Sequence, residues 1–280
     1  MEDQNAKELH EEEHFLQKPD EVEGDVWSEE DTLTATDRIM AVITSPKRAF
    51  EGLLNVPRLG SIIGISMVVG IILSVVTVAL MYTSEEYIAS IKNAQAERFE
   101  KVLADPSLSS EQKENIQKQQ EATEEVSNTQ YIIGAVMTAV LGPPIMAVLF
   151  GLLFLIIAKI IEQGHESRVR YSHALTVASL TGVIYGVGSL IMGAIARIAG
   201  SQKVLMGLAG FVDTDSVVLT ALLGVFSLPI LWWIGVSGLG IATIAKGNVG
   251  KATAILFGFF ILLVVILGVI ASQVAKLFGV

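Results

Sequence analysis

Five long apolar runs restrict what this chain can fold into more than any other feature. They fall at residues 59–82, 131–158, about 174–196, 216–245 and 252 to about 275. Each is long enough to cross the hydrocarbon core of a bilayer, which needs about 20 residues of helix. The runs are continuous rather than alternating, which excludes a transmembrane β-barrel. We predict an all-α integral membrane protein, a bundle of five transmembrane helices.

Composition and charge agree with this prediction. Hydrophobic residues make up 51% of the chain and charged residues 17%, with a mean hydropathy of +0.57, whereas soluble domains carry about 25% charged residues. The absence of cysteine excludes a disulfide scaffold, thiolate metal sites and cysteine nucleophiles. The net charge of −10 lies in the polar segments outside the runs, so a basic nucleic-acid footprint is absent.

The lysines and arginines of the short loops predict the orientation of the bundle. With the N-terminus in the cytoplasm, the short inside segments hold eight basic residues and the short outside segments hold three. The inside residues are Lys47, Arg48, Arg58, Lys159, Arg168, Arg170, Lys246 and Lys251, and the outside residues are Arg197, Lys203 and Lys276. Because positive charge favours the cytoplasmic side, we predict a cytoplasmic N-terminus and an outside C-terminus.

Two polar segments precede the first run. Residues 1–35 form an acidic tail, with 13 acids and two lysines in the first 31 positions, which indicates disorder or a docking arm for a basic partner. Residues 36–57 predict short amphipathic helices in the membrane interface, the second beginning at Ser45 and Pro46. Lys47, Arg48 and Arg58 are candidate contacts for lipid headgroups, and simple topology marking is the alternative.

Residues 58–280 form the predicted membrane domain, and a polar loop at 84–130 is inserted between its first two runs. The apolar positions of this loop have helical spacing, and Asp105-Pro106 breaks them. Ser109 and Gln112 indicate a capping box that begins a second helix. We predict an extracytoplasmic helical hairpin, continuous with the first two spans, that contacts a partner or acts as a spacer.

Enzyme motifs are weak in this sequence. His10 to His14 match H-E-x-x-H, but they lie in the acidic tail, with almost no apolar residues to hold a metal site. The middles of the runs contain no Asp, Glu, Lys, Arg or His, which argues against pumps, proton relays and intramembrane acid proteases. No phosphate-binding loop is present. We therefore expect no catalytic activity, no metal site and no cofactor.

Glycines and prolines inside the runs have two possible roles. Gly142, Pro143 and Pro144 in the second run and Pro229 in the fourth are candidate kinks, which bend a helix or line a cavity. The pairs at 60 and 64 and at 182 and 186 are glycines at small-xxx-small spacing. We expect them to serve internal helix packing rather than dimerisation.

Several short stretches resemble a known family. They are TSPKRAF at 44–50, YSHAL at 171–175, FSLPILW at 226–232, Gly238 to Gly240, and GKA at 250–252. Over about residues 36–280 the chain resembles bacterial members of the Yip (Ypt-interacting protein) domain family. The resemblance implies five spans, a cytoplasmic N-terminus, a bacterial cytoplasmic (inner) membrane, no enzymatic activity and no catalytic residues. It does not imply an oligomeric state.

The resemblance also implies a class of function. Some bacterial relatives accompany ABC-type exporters. We therefore predict an accessory or assembly factor whose partners are membrane lipids and other membrane proteins, such as ABC-type exporter subunits, and not nucleic acid. The alternative is a carrier or channel for a lipid or apolar solute that uses the kinked second and fourth spans.

Overall fold

The computed structural model describes residues 33–278 except 105, 107, 125–127, 163–167, 213 and 215. The acidic tail up to residue 32, including the H-E-x-x-H sequence, lies outside this part. Every regular element within the described residues is helical. In chain order the α-helices are α1 (Ala35–Thr44), α2 (Pro46–Phe50), α3 (Leu59–Tyr82), α4 (Glu85–Leu103), α5 (Ser110–Glu124), α6 (Asn128–Ile161), α7 (Tyr171–Ala199), α8 (Val217–Val225), α9 (Leu228–Ala245) and α10 (Val249–Phe278).

Five of the described helices are long and apolar enough to cross a membrane, as the sequence predicts. They are α3, α6, α7, α9 and the first part of α10, Val249–Ala271. The helix α7 lies at the centre of the bundle, where it packs against α3, α6 and α9. The helix α10 is peripheral, with only 11% of its apolar window buried inside the protein, so most of its surface remains for lipid or for a partner.

The fourth run differs from the prediction. A single helix was expected over 216–245, but α8 ends at Val225 and α9 begins at Leu228, with Phe226 and Ser227 between them. Pro229 lies in the first turn of α9, where its missing N–H leaves no hydrogen bond unmade. A continuous helix would lose the bond from residue 229 to the carbonyl of Val225 and would clash with it. By contrast, α6 continues through Pro143 and Pro144.

The segment before the first span folds onto one end of the bundle, which we call the pre-span end. Thr34 caps α1 in a capping box: its Oγ1 accepts from the Asp37 N–H at 3.2 Å, and the Asp37 carboxylate accepts from the Thr34 N–H at 3.2 Å. The hydrogen bonds from Thr34 lower the pKa of Asp37. Ser45 and Pro46 begin α2 as predicted, although the Ser45 side chain makes no capping bond.

The helices α4 and α5 pack against each other as a hairpin at the opposite end, which we call the hairpin end, and its extracytoplasmic location stays a prediction. The predicted capping box of α5 is confirmed, because the Ser109 N–H donates to Gln112 Oε1 at 2.9 Å and the Gln112 N–H donates to Ser109 Oγ at 3.2 Å. The predicted continuity with the first span is wrong, and the connection to the second span, at residues 125–127, lies outside the described residues. The helix α3 ends at Tyr82, and Ser84 caps the start of α4, because its Oγ accepts from the Tyr87 N–H at 3.3 Å.

Glycines on α7 bring the other spans close to it. A Cβ at Gly186 would lie 3.0 Å from Leu73 Cδ1, and a Cβ at Gly188 would lie 2.8 Å from Pro229 Cβ. The internal packing predicted for Gly186 is therefore confirmed. It is wrong for the glycines at 60, 64 and 182, where a Cβ would meet nothing within 4 Å.

Candidate functional site

The pre-span segment is part of the protein core rather than an isolated surface strip. Phe50 and Leu53 are fully buried, and they join the cluster that contains Phe154 of α6 and Val177 of α7. A Cβ at Gly240 of α9 would lie 3.0 Å from Phe50 Cζ, so a larger residue at position 240 would displace the ring. This packing places the turn after α2 beside the loops that follow α6 and α9.

Arg38 holds the segment together from inside. Its side chain is buried, and Nη1 donates to the carbonyl oxygens of Ala49 at 2.6 Å and Glu51 at 3.0 Å. These carbonyls lie at the C-terminus of α2, where a cation is favoured. Burial lowers the pKa of the Arg38 guanidinium from its ordinary value. Arg38 therefore ties α1 to the end of α2 and fixes the path of the chain into the first span.

A cavity of about 140 Å³ lies between this segment and the two loops. Its apolar wall is formed by Phe50, Leu53 and Ile244, and its polar lining includes Asn55, Arg168 and Lys246. Asn55 ends the short 3-10 turn Leu53–Asn55, Arg168 precedes α7, and Lys246 follows α9. Among the described lining residues two are cations and none is acidic.

The predicted headgroup contacts lie at the same end but outside this cavity. Lys47, Arg48 and Arg58 are all exposed, and Lys47 lies 3.8 Å from Glu51 in an ion pair. On α2 the exposed residues Lys47 and Arg48 are followed by the buried residues Ala49 and Phe50, and Arg58 lies outside α2, directly before the first span. The structure does not bring these three residues together in one cavity. Their role as lipid contacts stays a prediction.

The proline positions lie in packed surroundings. Pro143 Cβ lies 3.7 Å from where a Cβ of Gly70 would be, and Pro229 is buried against Gly188 of α7. Pro144 and Gly142 are partly buried, and a Cβ at Gly142 would meet nothing within 4 Å. These contacts favour helix packing at Pro143 and Pro229. Whether any of the four residues lines a pathway stays a prediction.

An aromatic cluster fills the bundle between α6, α9 and α10. The ring of Trp233 lies 4.6 Å from that of Phe150, 6.1 Å from that of Phe154 and 5.9 Å from that of Phe260. Trp233 is buried at the centre of this group. Tilted rings at such separations are a favourable aromatic arrangement. The cluster therefore occupies space that a solute pathway between these spans would need.

No group of three metal-ligating side chains occurs within the described residues. His173, in the first turn of α7, accepts at Nδ1 from the Arg170 N–H at 3.0 Å, which closes the start of the helix. This bond gives His173 a structural role. His165, which lies between α6 and α7 in the sequence, is outside the described residues.

No pattern in the sequence marks the cavity residues as a site. Arg168 and Lys246 were recognised only as positive charges of short loops, and Asn55 was not noticed. One signal was available in the sequence. The position just past the end of a helix is usually glycine, but after the fourth apolar run this position is Lys246, and Gly247 comes one residue later. The meeting of three segments so distant in sequence could not be derived from spacing.

Comparison with known proteins agrees with this architecture. The family model described as Yip1 domain matches residues 40–271. No curated protein and no solved structure matches the chain. The matched residues include all five spans, the inserted hairpin and most of the pre-span segment, and the five apolar helices fit an integral membrane protein. The chain therefore belongs to the Yip1 domain family of membrane proteins.

Proposed function

We propose that this protein is a non-enzymatic accessory or assembly factor for other proteins of the bacterial cytoplasmic membrane, such as an exporter. The helical hairpin carries this proposal. Its first helix, α4, has 19 residues and is about 28 Å long at 1.5 Å per residue. An insertion of this length between two spans exceeds what a connection requires.

The hairpin is anchored to the bundle at its base, which leaves most of its polar surface for another molecule. Tyr87 is buried and packs edge-to-face on Tyr82, with ring centroids 5.7 Å apart. Farther along α4, Gln95 Oε1 accepts from the Tyr131 hydroxyl at 2.8 Å. These contacts fix the direction in which the hairpin leaves the membrane domain, as a recognition element requires.

The interior of the bundle supports a binding role more than a transport role. The cluster around Trp233 fills the space between three spans, and Pro229 packs against Gly188. The span middles contain no Asp, Glu, Lys, Arg or His that would couple a solute to an ion gradient. A carrier for lipids or apolar solutes is therefore the weaker candidate.

Affinity purification from native membranes in mild detergent, followed by mass spectrometry, tests the proposal. The full chain is compared with a variant in which residues 85–124 are replaced by a short Gly-Ser linker. We expect stoichiometric membrane-protein subunits with the full chain and their loss from the variant. The variant's thermal unfolding and elution volume show whether the bundle remains folded.

A full chain that purifies without a stoichiometric membrane protein would contradict the accessory role. If that preparation instead carries bound lipid, the carrier function becomes the hypothesis to test in proteoliposomes. Flux that stays at the background of protein-free vesicles with several lipids would then remove that alternative as well.

A further inference from the structure

The cavity at the pre-span end is built from three parts of the chain that meet only in the fold. Asn55 comes from the turn before the first span, Arg168 from the loop after the second and Lys246 from the turn after the fourth. The volume of about 140 Å³ is about ten times the minimum of roughly 10–15 Å³ that admits one water. A compact polar group therefore fits inside.

The lining of this cavity selects for an anion. The guanidinium of Arg168 offers a planar fork of donors that matches phosphate oxygens, and the ammonium of Lys246 adds a point charge. Neither forms an ion pair with any described residue, whereas Glu51 and Glu162 of the same end are paired with Lys47 and Lys159. Arg168, Lys246 and Asn55 are exposed, so an anion reaches them from solvent, and the buried residues Phe50, Leu53 and Ile244 form the apolar wall behind them.

The backbone at Lys246 provides an independent observation. Lys246 has φ 48° and ψ 35°, and within the described residues it is the one non-glycine residue with a positive φ. The Lys246 N–H donates to Thr243 O and the Gly247 N–H to Ala242 O, a helix ending in which glycine normally takes the left-handed position. Lysine therefore stands at a position whose backbone conformation favours glycine, which allows the cation to be removed without straining the turn.

The position of the cavity suggests where an anion would come from. Its residue Lys246 directly follows Ala245, the last residue of a helix long and apolar enough to span a membrane, so lipid headgroups and soluble ions are the two candidate sources of an anion. We propose that this cavity binds a phosphate group, with the Arg168 guanidinium and the Lys246 ammonium as cationic contacts and the Asn55 amide as a further donor. The proposal does not rest on the accessory function.

Binding to the purified full chain in mild detergent tests the proposal. The probes are short-chain phosphatidic acid, the matching diacylglycerol, which lacks only the phosphate, and inorganic phosphate. Native mass spectrometry measures bound lipid, and thermal unfolding measures stabilisation by each probe. We expect phosphatidic acid or inorganic phosphate to bind and stabilise the protein, and diacylglycerol to do neither.

Two variants remove the cations without destroying the fold. Lys246→Gly suits the left-handed backbone, so the unliganded protein should unfold at or above the wild-type temperature. Arg168→Gln removes the second cation. Each should weaken phosphate binding about tenfold, the effect of one hydrogen bond to a charged group. Lys251→Gln is the matched control, because it removes an exposed charge from the same end that neither lines the cavity nor belongs to the predicted headgroup contacts.

The results distinguish a soluble phosphate from a lipid headgroup as the ligand, and they can also contradict the site itself. Competition by inorganic phosphate for phosphatidic acid assigns a soluble phosphate ligand, and phosphatidic acid binding without competition assigns a lipid headgroup. Wild-type affinity in both cavity variants would overturn the proposal. An equal loss in Lys251→Gln, or equal binding of diacylglycerol, would overturn it too, because binding would then be diffuse or apolar.

Discussion

At the scale of single residues, the packing of α7 depends on which of its glycines face a neighbouring span. A Cβ at Gly188 would lie 2.8 Å from Pro229 Cβ, whereas one at Gly182 would meet nothing within 4 Å. We expect Gly188→Ala to lower the free energy of unfolding by about 1–3 kcal/mol through overpacking. Gly182→Ala should be neutral or slightly stabilising, because alanine favours the helix. Thermal unfolding in detergent compares the two, and equal losses would contradict the packing.

The stability of the hairpin should depend on pH in the alkaline range, because Tyr87 is buried at its base. Burial, assisted by the nearby Tyr82, raises the pKa of Tyr87 to about 12. Because the folded pKa is raised, its contribution to stability is complete below the unfolded pKa of about 10 and is lost as pH rises through the folded value. The unfolding temperature of the wild type should therefore fall as pH rises from about 10 to about 12.

In Tyr87→Phe this alkaline loss should be absent, while Tyr171→Phe, which changes an exposed tyrosine at the other end, should keep it. Ultraviolet absorbance of tyrosinate follows the same titration directly. A wild-type profile without a late-titrating tyrosine would show that Tyr87 is not buried as described.

At the scale of elements, the sequence predicts a helix well where the spacing of the apolar residues and the capping residues indicate the same helix. The capping box at Ser109 and Gln112 was found in this way, because both halves of the signal are local. The fourth span was predicted too long, because hydropathy does not reveal that Phe226 and Ser227 leave the helix. The Thr34 box and the burial of Arg38 were missed, since the partners of Arg38 become neighbours only when α1 folds back on α2.

Arg197 joins the hairpin ends of two spans, and its loss should loosen them. Its Nη1 donates to the carbonyl of Leu80 at 2.6 Å and to Thr83 Oγ1 at 2.7 Å, so α7 supplies a partner for the last turn of α3. We expect Arg197→Met to lower the free energy of unfolding by about 1–3 kcal/mol. Hydrogen exchange at the end of α3 and thermal unfolding measure this effect.

Lys203→Met is the matched control, because it removes an exposed cation from the same end and should change stability by less than about 0.5 kcal/mol. Arg197→Lys should retain part of the wild-type stability, since an ammonium group reaches one of the two acceptors. An Arg197→Met variant as stable as Lys203→Met would show that the two bonds do not hold these spans together.

At the scale of the whole molecule, the five-span bundle was predictable because membrane helices satisfy their backbone internally and must be apolar along their length. The cavity was not predictable from the same information. Asn55, Arg168 and Lys246 belong to three turns, and only the antiparallel order of the spans and the glycine contact between Gly247 and the end of α6 bring them together. Function at such a site follows from tertiary contacts that no local pattern encodes.

The orientation of the bundle is a property of the whole chain, and the absence of cysteine makes it directly testable. Ser45 at the pre-span end and Glu111 at the hairpin end are both exposed. Because the eight basic residues of the short loops at the pre-span end favour the cytoplasm, a membrane-impermeant maleimide should label Glu111→Cys in intact spheroplasts. It should label Ser45→Cys only after permeabilisation. The reverse pattern would invert the topology and place the cavity of Arg168 and Lys246 on the outer face.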